Sequence, residues 1–219
     1  PYQGPSTISA GSVSLVDNGA LTTTTTLTVA SGSRLLLDNS ANPDPNRINN
    51  SASLALGGSL HFVGSPASAA DESFGALTFT TSTAELVSET LLGGSNTLTF
   101  SSVARSGITS RANFRGVGSD IGTLQNQLNI SGGSVGGLIG SVIPYALLDR
   151  GTNAPAIGQF SAGSITPALI DSDINSAGSS SVVMISNSQT LLTDKTVAVL
   201  LVSGSGVDLG GTFNNELQQ

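Results

Sequence analysis

The sequence has no cysteine, no tryptophan and one histidine, and charged residues make up only 10% of its 219 positions. Without cysteine, disulfide bonds, thiolate metal sites and cysteine nucleophiles are excluded. The 7 basic and 14 acidic residues give a net charge of -7, and the basic residues form no dense run. We therefore expect neither a nucleic acid nor an anionic membrane surface as a partner. No apolar run approaches the roughly eighteen residues that a membrane-spanning helix needs, so we expect no membrane insertion.

The residues that are abundant are small and polar. Serine and threonine together account for about a quarter of the chain, a composition typical of strands and turns. The chain also contains 27 glycines, which suit sharp turns. Because the residues that favour helices are few, the sequence predicts an all-β protein.

Short alternating segments recur along the first half of the chain, and they are Thr26–Val29, Ser53–Leu56, 76–80 and 97–101. Their leucines Leu27, Leu54, Leu77 and Leu98 are separated by 27, 23 and 21 residues, a spacing that matches one coil of a β-solenoid. In such a coil the apolar face stacks on the next coil, while serine and threonine face outward. We predict a β-solenoid, with a β-sandwich as the alternative fold.

The chain divides by composition into three segments. We predict solenoid coils over 1–115, glycine-rich irregular coils that continue the solenoid over 116–180, and terminal coils over 181–219 that open a further unit. The segments 8–15 and 197–209 are β-prone and nearly uncharged, so we predict end-to-end association through them. The chain starts without methionine, and we expect it to be a piece of a longer protein.

Several pieces in the second half occur in a characteristic order: TLTFSSVAR at 97–105, ANF at 112–114, GGLIG at 136–140 ahead of Tyr145, and the strand from Val197 to the glycines at 210–211. In this order and spacing they resemble the passenger regions of very long bacterial surface proteins that contain autotransporter-associated β-strand repeats. The resemblance implies a right-handed parallel β-helix that is secreted to the cell surface. It also implies a structural, adhesive or assembly role, and no catalysis.

Few residues could support catalysis. His61 lies between two apolar residues on the polar face of a predicted strand, and its neighbours form no nucleophile motif. Asp71 and Glu72 would point to opposite faces of a strand, whereas Asp171 and Asp173 would share one. Without a convergent carboxylate cluster, a polysaccharide-active β-helix enzyme is the least favoured interpretation, and we predict no enzyme.

Calcium is the cofactor that the sequence could accommodate, although no cofactor is required. Asp38 and Asp44 offer oxygen ligands in the loop 38–50, together with Asn39 and Asn42. The spacing matches neither an EF-hand nor a calcium-binding nonapeptide repeat. Solvation of the loop by these polar residues is the alternative.

The three arginines Arg105, Arg111 and Arg115 form the only basic cluster. If residues 111–115 are a strand, Arg111 and Arg115 project from one face while Ala112 and Phe114 project inward. We predict an intermolecular contact at these arginines, with a solvated face as the alternative.

These observations predict a structural subunit or segment of an extracellular fibre, stalk or surface layer that associates with itself into a filament or lattice. The alternative is an adhesin module in which a rigid solenoid presents the loop 38–50 or 116–127 to a glycan or a host surface.

Overall fold

The structure, a computed structural model, describes residues 3–66, 68–150, 153, 155–203 and 206–211. Within these residues every helix or strand assigned is a β-strand, which confirms the prediction of an all-β protein. Twelve strands surround a common core: β1 (Ser6–Ile8), β2 (Ser12–Leu15), β3 (Thr26–Val29), β4 (Arg34–Asp38), β5 (Ser53–Leu56), β6 (Ser59–Val63), β7 (Ala69–Phe79), β8 (Glu85–Glu89), β9 (Ser95–Arg105), β10 (Ala112–Val117), β11 (Asn126–Val135) and β12 (Val142–Asp149).

These strands stack in two parallel series. The odd-numbered strands from β1 to β11 pair in order along one side, and the even-numbered strands from β2 to β12 pair in order along another. Each of these pairings is parallel. Consecutive strands therefore turn a corner instead of forming hairpins, and the chain winds into a β-solenoid of about 5 turns. The predicted solenoid is confirmed, and the alternative β-sandwich is not the fold.

The first halves of the long strands β7, β9 and β11 form a third side of the coil. In β7 the alternation of buried and exposed residues is interrupted between Phe74 and Leu77. In β9 it is interrupted between Phe100 and Val103, the residues that pair with these two. In a straight strand every second side chain would be buried without interruption, so the interruption marks a corner of the coil. In the earlier, shorter coils the parallel bridge between Leu21 and Ile48 occupies this side.

Apolar side chains stacked from coil to coil fill the interior. Leu27, Leu54 and Leu77 pair in register and are fully buried. Phe74 stacks on Phe100 of the next coil, with ring centroids 5.1 Å apart. Because each coil covers the apolar row of its neighbour, the core is continuous along the stack and depends on contacts between coils.

The register of β9 differs from the one that the repeat predicts. We predicted that Leu98 lies above Leu77, but Leu98 pairs with Glu72 and Leu77 pairs with Val103, 26 residues later. The prediction was wrong because β9 spans two sides of the coil. Its first half has the same alternation as the second half of β7, although the two halves lie on different sides.

An antiparallel hairpin follows the last coil and pairs with β12 at four residue pairs, but with β11 only at Asn129. Its strands are β13 (Ala156–Ser161), which pairs with β12, and β14 (Ser164–Pro167), which pairs with β11. The two strands also pair with each other. They join the two series into one 14-stranded sheet with the order β1-β3-β5-β7-β9-β11-β14-β13-β12-β10-β8-β6-β4-β2. Both edges of this sheet, β1 and β2, therefore belong to the first coil.

A second, shorter group of strands follows the hairpin: β15 (Ile170–Asp171), β16 (Val182–Ile185), β17 (Gln189–Thr190), β18 (Val199–Val202) and β19 (Leu209–Gly210). β15, β16 and β18 pair in parallel, and β17 pairs in parallel with β19. Buried Val182 and Ala198 join Val142 of the main stack in one apolar cluster. The predicted division of the chain at residues 115 and 180 stays a prediction.

Candidate functional site

The first coil carries two strand edges that can accept further strands. Among the described residues, β1 pairs only with β3 and β2 only with β4. The carbonyl of Ile8 accepts a hydrogen bond from the N–H of Ala30 at 2.9 Å, and the carbonyl of Gly11 accepts one from the N–H of Arg34 at 2.9 Å. Backbone groups alternate in direction along a strand, so the groups of the intervening residues point toward the open edges.

The outward backbone groups belong to Thr7, Ser12 and Ser14, whose side chains are exposed. Natural edge strands commonly prevent pairing with a charged residue, a proline or a bulge. Neither β1 nor β2 contains a proline, and residues 3–16 contain no charged side chain. The two edges are short, with three and four residues, but chemically unprotected.

The calcium candidates Asp38 and Asp44 each bind a backbone group of their own loop. Asp38 Oδ1 accepts a hydrogen bond from the N–H of Ser40 at 2.9 Å, and Asp44 Oδ1 accepts one from the N–H of Asn46 at 2.9 Å. Partial burial raises the pKa of Asp38, but the hydrogen bonds from Ser40 and the charge of Arg47 outweigh it, so this pKa lies below its usual value. In the part of the chain that the structure describes, no group of three or more His, Asp or Glu residues could hold a metal ion. Calcium binding stays a prediction.

Arg47 organises this loop from inside, which the sequence did not predict. It is fully buried, and its guanidinium donates to Asn39 Oδ1 at 2.6 Å, to the Gly19 carbonyl at 2.9 Å and to the Asn42 carbonyl at 2.7 Å. Charge-assisted hydrogen bonds of this kind are among the stronger ones in proteins. The cation that holds the loop together is therefore an arginine of the loop itself. The only indication of this role in the sequence is that Arg47 is the single arginine of a loop rich in asparagine and proline.

Glu72 supports the same loop from the neighbouring coil. Its Oε2 accepts the N–H of Arg47 at 3.1 Å, and its Oε1 accepts the N–H of Ile48 at 3.2 Å. Burial raises the pKa of Glu72 to about 8, although these two backbone hydrogen bonds favour the charged form. Asp71 is exposed while Glu72 is buried, which confirms that the two point to opposite faces. Asp171 is exposed in β15, and Asp173 Oδ1 accepts the N–H of Asn175 at 2.9 Å.

The three arginines of the basic cluster have different surroundings. Arg105 lies 4.9 Å from the ring centroid of Tyr145, a cation–π contact, and donates to the Ile108 carbonyl at 3.0 Å. Arg115 Nε lies 3.7 Å from Asp149 Oδ2, and both side chains are about half exposed. Arg111 is exposed. Two of the three arginines are therefore already engaged within the chain, and the intermolecular contact stays a prediction.

The strand that carries Arg115 has the predicted orientation. Ala112 and Phe114 are buried, whereas Arg111 and Arg115 are exposed. Phe114 packs edge-on against Phe79, with ring centroids 5.4 Å apart.

His61 lies in a row of polar side chains on the outer face of the even-numbered strands. Its Nε2 lies 2.9 Å from Glu89 Oε2, and its Nδ1 contacts Arg34 Nη2. An arginine can only donate, so Nδ1 accepts and Nε2–H donates to Glu89, which is the arrangement of a neutral imidazole. Burial lowers the pKa of His61, and the charge of Arg34 lowers it further, against the opposing effect of Glu89. The three side chains form a polar ladder across three coils.

The second candidate binding loop, 116–127, is also anchored by buried polar groups. Asp120 is buried and lies 3.5 Å from Arg150 Nη2. Asn126 is fully buried, and its amide donates to the carbonyls of Ser88 at 3.1 Å and Ser119 at 2.8 Å. Asn126 pairs in register with buried Asn96 of the preceding coil. The sequence reasoning missed this pair of asparagines, because asparagine in a corner more often faces solvent.

No helix that is long and apolar enough to cross a membrane occurs among the described residues. No protein-family model matches the chain, and neither curated proteins nor solved structures show a similar protein. The resemblance to passenger regions with autotransporter-associated repeats therefore stays a prediction.

Proposed function

We propose that the chain is a structural segment of an extracellular fibre, stalk or surface layer, which associates through the β-edges of its coils. The observation that carries this proposal is the 14-stranded sheet, whose two edge strands, β1 and β2, lie in one coil and contain no charged residue. Hydrogen bonds run from coil to coil along the whole stack, and an apolar core accompanies them. This architecture resists bending and can be extended by further strands.

The alternation of the outer faces supports the same role. Outward positions of β3, β5 and β7 carry residues such as Thr28, Ala55 and Thr78, which pair in register. Small side chains of this kind leave the outer faces of the stack smooth. The cell-surface location belongs to the proposal, and it rests on the resemblance of the repeat pieces.

Electron microscopy of the purified chain over a concentration series tests this function. We expect rods that join at their ends as the concentration rises. If separate short rods persist at the highest concentration at which the chain stays soluble, this proposal is wrong.

A second candidate function is an adhesin module that presents the loop 38–50 to a glycan or a host surface. It is favoured by the buried guanidinium of Arg47, which holds an otherwise polar loop in one conformation. Rigid presentation lowers the entropic cost of binding.

The test uses exposed loop residues that do not contact Arg47 through their side chains. N46A/N50A should abolish binding on a glycan array or to host cells and leave association unchanged. The matched control is S82A/T109A, at exposed positions in other corners. If N46A/N50A and the control bind equally, the loop is not the binding site.

A further inference from the structure

An open groove of about 400 Å³ lies on the side of the stack, among residues of β10, β12, β13 and β18. Asn113 and Leu147, whose neighbours along the strand are buried, point outward and line it. None of its described lining residues is acidic, and they combine two arginines with apolar side chains: Arg105, Ile108, Arg111, Leu147, Ile157 and Leu201. In a chain with a net charge of -7, the groove is a local site of positive charge beside an apolar surface.

The charges of the two arginines are not neutralised within the chain. Neither arginine forms a salt bridge with a described residue. Arg105 is held in place by the ring of Tyr145, 4.9 Å from its guanidinium, and by the carbonyl of Ile108, to which it donates at 3.0 Å. The Tyr145 hydroxyl donates to the Gly136 carbonyl at 2.7 Å, which fixes the ring. Together with exposed Arg111, this preoriented guanidinium suits a carboxylate ligand.

Apolar side chains extend from the groove across the hairpin. Ile108 and Leu147 of the groove are 87% and 45% exposed. Leu147 pairs with Ile157 of β13, and the Ile157 carbonyl accepts the N–H of Ala168 at 2.8 Å. The next residue, Leu169, is 87% exposed. Large apolar side chains that adjoin one another at the surface mark sites of interaction with another protein.

The segment 169–171 has the chemistry that complements the groove. It places two exposed apolar side chains, Leu169 and Ile170, directly before the exposed carboxylate of Asp171. Asp171 forms no salt bridge with a described residue. Because all three side chains are exposed, the segment does not fill the groove of its own chain.

We infer that the segment 169–171 of one copy binds in the groove of a second copy, so that Asp171 faces Arg111 and Leu169 covers Leu147. Two copies that are both acidic repel each other overall, and this contact joins a negative segment to a positive groove. The segment and the groove are neighbours on one surface, so a two-fold rotation makes both contacts at once, as in other isologous interfaces.

The two stacks of such a dimer lie side by side, since the groove is on the side of each stack. The contact uses no strand edge and is therefore independent of the end-to-end association in the proposed function. Where both associations occur, the product is a fibre of paired rods.

A charge swap in the full chain tests the contact. R111E reverses a charge of the groove and D171R reverses that of the segment, both at exposed positions, so far-UV circular dichroism should not change. In sedimentation analysis each variant alone should dimerise at least about tenfold more weakly than the wild type, because like charges then meet at both contacts. Labelled R111E at trace concentration should bind D171R with the affinity of the wild-type pair, because opposite charges again meet at both contacts.

D194R is the matched control for the swap, because Asp194 is exposed and lies outside the segment. It should dimerise like the wild type and should not restore the binding of R111E. L169S should weaken dimerisation at least about tenfold, since it removes a side chain that the contact buries. L92S removes a leucine that is 96% exposed at another corner and should leave dimerisation unchanged.

Electron micrographs separate this inference from the proposed function. If wild-type rods join at their ends but never pair side by side, or if labelled R111E binds D171R no better than it binds D194R, the inference is wrong and the fibre proposal survives. If rods pair side by side but never join at their ends, the fibre proposal is wrong and the inference stands.

Discussion

Removal of the guanidinium of Arg47 should destabilise the corner between β4 and β5 far more than removal of any exposed arginine. The side chain is fully buried and donates to three oxygens, at 2.6, 2.9 and 2.7 Å. In R47M these acceptors lose their donor. An unsatisfied buried acceptor costs about 1–3 kcal/mol, but the carbonyl of exposed Asn42 can recover a hydrogen bond from water. Asn39 is buried and cannot, but its Oδ1 keeps the hydrogen bond from the N–H of Asp44 at 3.2 Å.

For R47M we therefore expect a loss of about 1–3 kcal/mol in the free energy of unfolding, mainly from the Gly19 carbonyl and from the weaker hydrogen bonding of Asn39 Oδ1. R47K keeps the charge but offers one compact donor in place of a planar fork, so we expect an intermediate loss. R111M is the matched control, because Arg111 is exposed and should change stability by about 0.5 kcal/mol or less.

Urea denaturation followed by far-UV circular dichroism measures the stability, and hydrogen exchange locates the loss. The N–H of Asp44 donates to Asn39 Oδ1 at 3.2 Å, so it should lose protection in R47M while the amides of β9 keep theirs. If R47M and R111M have the same stability and the Asp44 amide stays protected, Arg47 does not hold the loop.

Three further predictions concern the core and the corners. Because burial raises the pKa of Glu72 to about 8, the folded state binds this proton more tightly than the unfolded state, whose pKa is 4.5. The free energy of unfolding should thus fall as the pH rises from 4.5 to 8, by at most about 1.4 kcal/mol per pH unit, and E72Q should flatten this dependence in urea titrations at several pH values. A double-mutant cycle of F74L and F100L should give a coupling of about 0.5–1.5 kcal/mol from the stacked rings; zero coupling would contradict the register of β7 and β9. In G58A the new Cβ would lie 2.1 Å from the Ser33 carbonyl oxygen, so the melting temperature should drop clearly, whereas G107A, whose Cβ meets nothing within 4 Å, should leave it nearly unchanged.

The repeating part of the fold was predictable because apolar residues in a parallel stack align at nearly regular intervals. Leu27, Leu54 and Leu77 pair as their spacing predicts. The inward orientation of Phe114 was predictable from alternation alone. Where a strand crosses a corner of the coil, the alternation of buried and exposed residues starts again. The sequence does not indicate on which side of the coil each half of the strand lies. For this reason the spacing of the leucines suggested that Leu98 pairs with Leu77, whereas it pairs with Glu72.

The hairpin β13–β14 could not be predicted, because strands in parallel and antiparallel pairs have the same alternation. Only the pairing distinguishes a coil that continues the stack from a hairpin that follows it. The burial of Arg47 was also hidden, since one of its acceptors is the carbonyl of Gly19, 28 residues earlier. Backbone acceptors have no signature in the sequence. Most of 38–50 and 116–127 lies between strands, but the internal anchors of these loops were not predicted, and their role in binding stays a prediction.

Electron microscopy of the full chain, with a gold label on the single cysteine of A10C, tests the central claim most directly. The account predicts rods that join at their ends as the concentration rises, with the label at the joints, because the edges β1 and β2 of the main sheet lie in the coil that carries Ala10. Single rods with the label at one end, at every concentration at which the chain stays soluble, would contradict it.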